Sequence, residues 1–286
     1  MGKIKVSVIG AGGKMGTRTS NNLKNAEQEI ELWLCETSQK GIESVEARGL
    51  SVSLAEDVVP KSDIVVLAVP DTLIQKVSED IVKMMAPGSA LIILDPAAAV
   101  AHELTLRDDC TFAIAHPCHP SYFLDQDTYE ARHDYFGGMG AKQDIVVGMI
   151  QGTDKRFSQC RRVSELMFSP VETSFVMGIR DIAFLEPTLV ELLGATCLHA
   201  MAETVDMAEK RGIDRNAAIS FLTGHVYNLT ANFLGLLGKT PVSDACMVAI
   251  DLGNRLVLRE DWRRIWDDEV LDKVIMTMLH PDKPQI

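Results

Sequence analysis

The chain has 286 residues, 47% hydrophobic and 24% charged, which is ordinary for a soluble globular protein and long enough for two domains with separate cores. A formal net charge of −12 excludes general nucleic-acid binding and docking on an anionic membrane surface. No apolar run reads as long enough to span a bilayer, residues 1–3 lead into a β-type segment with no signal sequence, and six cysteines without C-x-x-C spacing read as reduced, mostly buried thiols of a cytoplasmic protein.

In chain order, a β-type segment at 4–9 and a helix-compatible segment at 15–23 flank Gly10-Ala11-Gly12-Gly13-Lys14-Met15-Gly16. A strand, a glycine-rich turn and a helix in that order read as a dinucleotide pyrophosphate site. Gly10 permits the turn, Gly12 and Gly13 allow backbone to approach phosphate, and Gly16 allows the helix to pack on the strand. The turn holds one residue more than G-x-G-x-x-G, so phosphate contacts are expected from Gly12, Gly13, Lys14 and Met15 at the helix N-terminus. A second strand at 30–35 ends at Glu36, whose carboxylate can accept both ribose hydroxyls and repels a 2′-phosphate, which favours NAD over NADP.

A weak third strand is expected at 52–54 and a wholly apolar one at 64–69. Val69 and Asp71 stand where that strand meets the ligand crevice, and Asp71 either touches the cofactor or caps the helix at 72–85. Strands at 90–94, ending in Asp95-Pro96, at 112–115, ending in His116-Pro117, and at 145–150 complete an α/β doubly wound parallel sheet, a Rossmann domain over 1–152. From 153 to 286 the pattern is helical, with helices at 156–168, 187–210, 216–237, 243–260 and 268–279. The helix from 187 is apolar nearly all round, which buries it in its own core or in a subunit interface; a homodimer is the expected form.

Ala115-His116-Pro117-Cys118-His119-Pro120-Ser121 is the second informative stretch. Two prolines fix the backbone and aim the imidazoles of His116 and His119, which suit a divalent metal or acid–base work. Glu186 precedes Pro187, so its backbone is expected outside the helical region and its carboxylate turned toward a cleft, unless it only complements the helix dipole. His225, Asn228 and Asn232 recur at helical spacing and read either as contacts to a polyhydroxylated substrate or as satisfied buried polar groups.

The layout resembles the group that includes 6-phosphogluconate dehydrogenase and ketol-acid reductoisomerase, with a Rossmann domain followed by a helical dimerisation domain. The K-x-x-x-N pair of the 6-phosphogluconate dehydrogenase type is absent from 186–210. Within the group, G-A-G-G-K-M-G, A-H-P-C-H-P-S and F-L-E-P-T are similar to the D-apionate oxidoisomerases over the full chain, A-H-P-C-H-P-S being the most specific piece. This resemblance implies an NAD-dependent oxidoreductase of sugar-acid catabolism, oxidising D-apionate at the 2-hydroxyl with hydroxymethyl migration to give 3-oxoisoapionate and NADH. It implies Gly12, Gly13, Lys14 and Glu36 as NAD contacts, and His116 and Glu186 as ligands of a divalent metal such as Mg, Zn or Mn. His116, His119 and Glu186 form the implied catalytic set, with His119 a proton-transfer candidate. Dehydrogenation of another hydroxy acid without migration remains open, as does an NAD sensor without turnover.

Overall fold

The computed structural model describes residues 2–236, 238 and 242–285. Its first part alternates strands and helices: β1 (Ile4–Ile9), α1 (Lys14–Asn25), β2 (Ile30–Cys35), α2 (Gln39–Glu46), α3 (Ala55–Val58), β3 (Ile64–Leu67), α4 (Asp71–Met84), β4 (Ala90–Ile93), α5 (Ala97–Val100), β5 (Thr111–Pro117), α6 (Tyr129–Arg132), β6 (Gln143–Gln151), α7 (Asp154–Met167), β7 (Val171–Val176) and α8 (Ile179–Ala183). The strands form one sheet in the order β2-β1-β3-β4-β5-β6-β7. Pairing is parallel from β2 through β5, β6 runs antiparallel to β5, and β7 is parallel to β6.

Helices cover both faces of the sheet, so its inner strands are apolar at every position; all four residues of β3 are buried. Successive residues feed opposite cores. Val6, Val8, Val66 and Ile92 pack with Leu23 of α1 and Val163 and Met167 of α7. Val65, Leu67, Leu91 and Ile93 pack with Ile74 and Ile81 of α4 and Ala98 of α5. Strand order reverses between β1 and β3, and the carboxyl ends of those strands are where an open α/β sheet keeps its ligand crevice.

Three expectations need correction here. The strand expected at 52–54 does not form; that stretch is irregular and meets β2 through Ser53 N–H donating to Leu34 O at 2.7 Å. The region after 153 is not all helical, because β7 adds a strand to the sheet. Two compact units emerge, Met1–Leu185 with Asp272–Ile286, and Glu186–Leu271, so the expected boundary at 152/153 falls inside the first of them.

The helical run that starts at α8 continues through a π-helical stretch, Phe184–Ala195, into α9 (Thr196–Lys210). Glu186 and Pro187 therefore lie inside a helical segment and not before one. A π-helical register tolerates a proline that lacks its N–H, and such stretches recur at functional sites. This run, Ile179–Lys210, is also long and apolar enough by composition to cross a membrane, which corrects the expectation that none is.

α10 (Arg215–Phe233) and α11 (Asp244–Leu256) complete the second unit, and α12 (Asp268–Leu279) returns the chain to the first. The expected helix end at Leu237 lies outside the described residues. Arg215 joins α10 to α9 through Asp206 at 2.6 Å and Glu209 at 2.9 Å. Within the first unit, Asp272 pairs with Arg180 at 3.0 Å and His280 with Glu103 at 2.6 Å. The helix from 187 is not buried in a core of its own: Leu189, Val190 and Leu198 are 41%, 52% and 56% exposed.

Candidate active site

The glycine turn closes on itself before it meets any ligand. Gly10 has φ +80°, and a Cβ there would lie 2.6 Å from Ala68 O and 3.0 Å from Val69 Cγ1, which draws the ends of β1 and β3 together. A Cβ on Gly12 would lie 2.3 Å from Gly41 O, so the close approach at Gly12 is to the α2 backbone. The N–H groups of Ala11 and Gly13 donate to Cys35 O and Gly10 O, and that of Gly12 donates to Glu36 Oε2 at 3.0 Å. The first-turn N–H groups of α1, beginning with Lys14 and Met15, have no capping side chain. The extra residue in the turn thus places Gly12 against α2 and moves the helix N-terminus one position along. The hollow measures about 350 Å³ and lies between Gly12–Lys14 and the loop Phe136–Met139.

Glu36 sits at the end of β2, as the sequence requires. Its Oε1 accepts from Thr37 N–H at 2.8 Å and Ser38 N–H at 3.1 Å, and the Ser38 hydroxyl lies 3.3 Å away. Burial by itself would raise the Glu36 carboxyl, but the donors on Ser38, Thr37 and Gly12 outweigh it and hold the group below the usual carboxylate range. The group is therefore a fixed anion beside the glycine turn. Asp71 is the exposed first residue of α4, Pro70 occupies the cap position, and no side-chain cap bond forms there.

The carboxyl ends of β4 and β5 carry the second constellation. His116 Nδ1 lies 2.8 Å from Leu94 O, and a carbonyl can only accept, so Nδ1 carries a proton. Asp95 follows β4 and accepts from Ala97 N–H at 2.7 Å. Ligand atoms of Asp95, His116 and Glu186 lie within 4.8 Å of one another. Two carboxylates and one imidazole are a donor set that fits a divalent cation. Asp95 was not among the expected ligands; its signal was its place at a strand's carboxyl end followed by proline, the same context that singled out His116. His119 is not part of this group. Its φ is +61°, and its Nδ1 lies 2.8 Å from Phe136 O.

Residues 1–145 match the acetohydroxy acid isomeroreductase NADPH-binding domain family, and residues 124–279 match the C-terminal family of decarboxylating phosphogluconate dehydrogenase. A relative from Blautia hydrogenotrophica named D-apionate oxidoisomerase is 69% identical over 100% of both chains. The chain belongs to the D-apionate oxidoisomerase family. A relative of the same name from Pectobacterium atrosepticum is 40% identical over 97% of this chain and 96% of its own. Among solved structures, a semialdehyde dehydrogenase NAD-binding protein from Cupriavidus necator, in complex with calcium and NAD, superposes with TM-score 0.92 at 36% identity, covering 97% of this chain and 100% of that one. An NADH-preferring ketol-acid reductoisomerase at 15% identity, TM-score 0.67, shares the fold. The family is one of NAD-dependent oxidoreductases with coupled isomerisation, on a Rossmann domain followed by helices.

In this D-apionate oxidoisomerase family member, His225 and Asn228 are exposed on α10 and line an open hollow with Ala217, Ser220, Phe221 and Gly224. The His225 ring stacks on Phe221 at 4.1 Å and its Nδ1 lies 2.7 Å from Phe221 O, while Asn232 is half-buried one turn beyond Asn228. His225 and Asn228 are thus not the buried polar groups of the alternative reading. None of the six cysteines forms a disulfide, and Cys35, Cys110 and Cys160 are the buried ones, fewer than expected. Burial pushes the Cys35 and Cys160 thiols up to about 12, whereas Cys118 is exposed between the two histidines. Brief alkylation of the native protein at neutral pH, followed by peptide mapping, should modify Cys118 and spare Cys35 and Cys160. Equal labelling of all three would contradict this burial.

Proposed function

We propose that this protein oxidises D-apionate at its 2-hydroxyl in an NAD-dependent reaction, with migration of a hydroxymethyl group to the neighbouring carbon, giving 3-oxoisoapionate and NADH. The observation that carries the reading is the Asp95, His116 and Glu186 group at the carboxyl end of a Rossmann sheet. Bound NAD supplies the hydride acceptor, and a bound divalent cation, held by Asp95, His116 and Glu186, supplies Lewis acidity toward neighbouring substrate oxygens. The Cupriavidus necator relative, solved with calcium and NAD, supports both cofactors.

The chain's own groups divide the remaining work. The Lys14 and Met15 amides and the Lys14 ammonium would hold the pyrophosphate, with Gly10, Gly12 and Gly13 shaping the turn. Glu36 would accept from the adenosine ribose hydroxyls, and Val69 and Asp71 would border the cofactor beyond the end of β3. The Leu94 carbonyl fixes the His116 tautomer so that Nε2 is the ligand atom. Phe136 O orients the His119 ring in the same way, and His119 is the candidate for proton transfer. His225, Asn228 and Asn232 are the candidates for substrate hydroxyls. The exposed apolar residues of the second unit, Phe221 at 71% and Leu256 at 82% among them, support a homodimer formed through that unit. Light scattering should then return twice the chain mass.

Incubation of D-apionate with NAD, with and without chelator, tests the reading. Chelator-sensitive NADH formation and a rearranged product by NMR are expected, and an unrearranged 2-keto acid would overturn the migration. For the cofactor, Glu36→Ala should weaken NADH binding and narrow the preference over NADPH by about tenfold or more, the size of a lost charged hydrogen bond. Fluorescence titration with both nucleotides reads this directly, and an unaltered ratio would remove Glu36 from the ribose site.

A further inference from the structure

Lys14 and Arg18 pose a problem of charge. They stand one turn apart at the N-terminal end of α1, where the helix dipole disfavours cations and where like charges at i and i+4 repel. Arg18 is 4% exposed, and its Nε and Nη1 have no hydrogen-bond partner. The aromatic ring of Phe136 answers both charges: Lys14 Nζ lies 3.9 Å and Arg18 Cζ 4.8 Å from its centroid. Arg18 also lies 5.3 Å from the ring of Phe168, which is wholly buried, and its Nη2 donates to Gln143 Oε1. The negative face of a ring attracts a cation but carries no net charge, so it does not repel an incoming anion as a carboxylate would.

The loop that carries Phe136 is built to hold the ring in place. Asp134 is buried and accepts from Gly137 N–H at 2.9 Å and Met139 N–H at 2.7 Å. Gly137, Gly138 and Gly140 all have positive φ, which lets the chain wrap around that carboxylate. His119 grips the loop from another side, with its Nδ1 on Phe136 O and its ring 5.2 Å from the Phe136 ring. The ring thus sits across the hollow from the glycine turn, fixed by both the core and the A-H-P-C-H-P-S segment.

We propose that Phe136 is a positioning residue that holds the Lys14 ammonium in place for the dinucleotide pyrophosphate. This rests on the reading of the glycine turn as the NAD site. A cycle of Lys14→Met, Phe136→Leu and the double variant, read by NADH fluorescence titration, tests it. Lys14→Met should weaken NADH binding about tenfold, and Phe136→Leu about fivefold, the scale of one cation–π contact. The double variant should bind no more weakly than Lys14→Met alone, because Phe136 acts through Lys14. Phe136→Tyr, which keeps the ring, should bind as the parent does, and Phe136→Met serves the same cycle if Phe136→Leu folds poorly. Additive losses in the double variant, or unchanged binding by Phe136→Leu while the parent binds NADH, would overturn the proposal alone. A parent protein that binds no NADH would overturn the cofactor reading and the proposal together.

Discussion

Asp95→Asn and Glu186→Gln should each lower kcat by about 10²- to 10³-fold, since Lewis-acid stabilisation is worth several kcal/mol and each 1.36 kcal/mol is tenfold in rate. Both substitutions keep the side-chain shape and remove one negative charge from the group that Asp95, His116 and Glu186 form. The Ala97 N–H bond to Asp95 survives in the asparagine variant, because Oδ1 remains an acceptor and α5 can still start there. NADH affinity should therefore be retained while chelator sensitivity and turnover fall together. Steady-state kinetics with NADH titration and metal analysis on each variant would separate these quantities. Turnover equal to the parent in both variants would remove the two carboxylates from the chemistry.

Gly16→Ala should cost about 3 kcal/mol of stability, the upper range for forcing an atom into packed structure. Its Cβ would stand 2.0 Å from Gly10 O and 2.8 Å from Ala11 Cα. Both are backbone atoms of the turn, so no side chain can rotate away and α1 must move off β1. NADH binding should weaken as well, because the helix N-terminus moves with it. Gly13→Ala provides the comparison: its Cβ would meet Gly10 O at 3.4 Å, ordinary contact. Denaturant unfolding of both variants gives the answer, and equal midpoints would show that the helix–strand contact at Gly16 is not the constraint.

Much of this site could be read along the chain because its signals are local. A glycine turn between a strand and a helix, a carboxylate at the end of β2, and a histidine before proline at the end of β5 each lie within a few residues. Asp95 escaped notice although it ends β4 in the same manner, because a lone carboxylate gains meaning only beside His116 and Glu186. β7 was missed for a different reason. As the edge of the sheet it has no fully buried residue, so Val171–Val176 lacks the apolar pattern that marks β3. Residues 52–54 erred the other way, having strand-like composition but a single backbone bond to β2.

Glu186 shows the limit most clearly. The rule that a residue before proline leaves the helical region is a local steric rule, and the π-helical register of Phe184–Ala195 overrides it. The sequence by itself determined the α/β class and the strand, glycine turn and helix that open it, and it singled out Glu36 and His116 by their places at strand ends, while Glu186 entered as a ligand through the resemblance to the D-apionate oxidoisomerases. The first of these follow from side-chain periodicity and from steric demands within a few residues. Only the tertiary structure decided that Asp95 joins His116 and Glu186, that Gly12 packs on α2, and that Phe136 reaches Lys14. Each of these joins residues far apart in the chain, and such contacts are set by how the sheet and its loops pack, which no local pattern encodes.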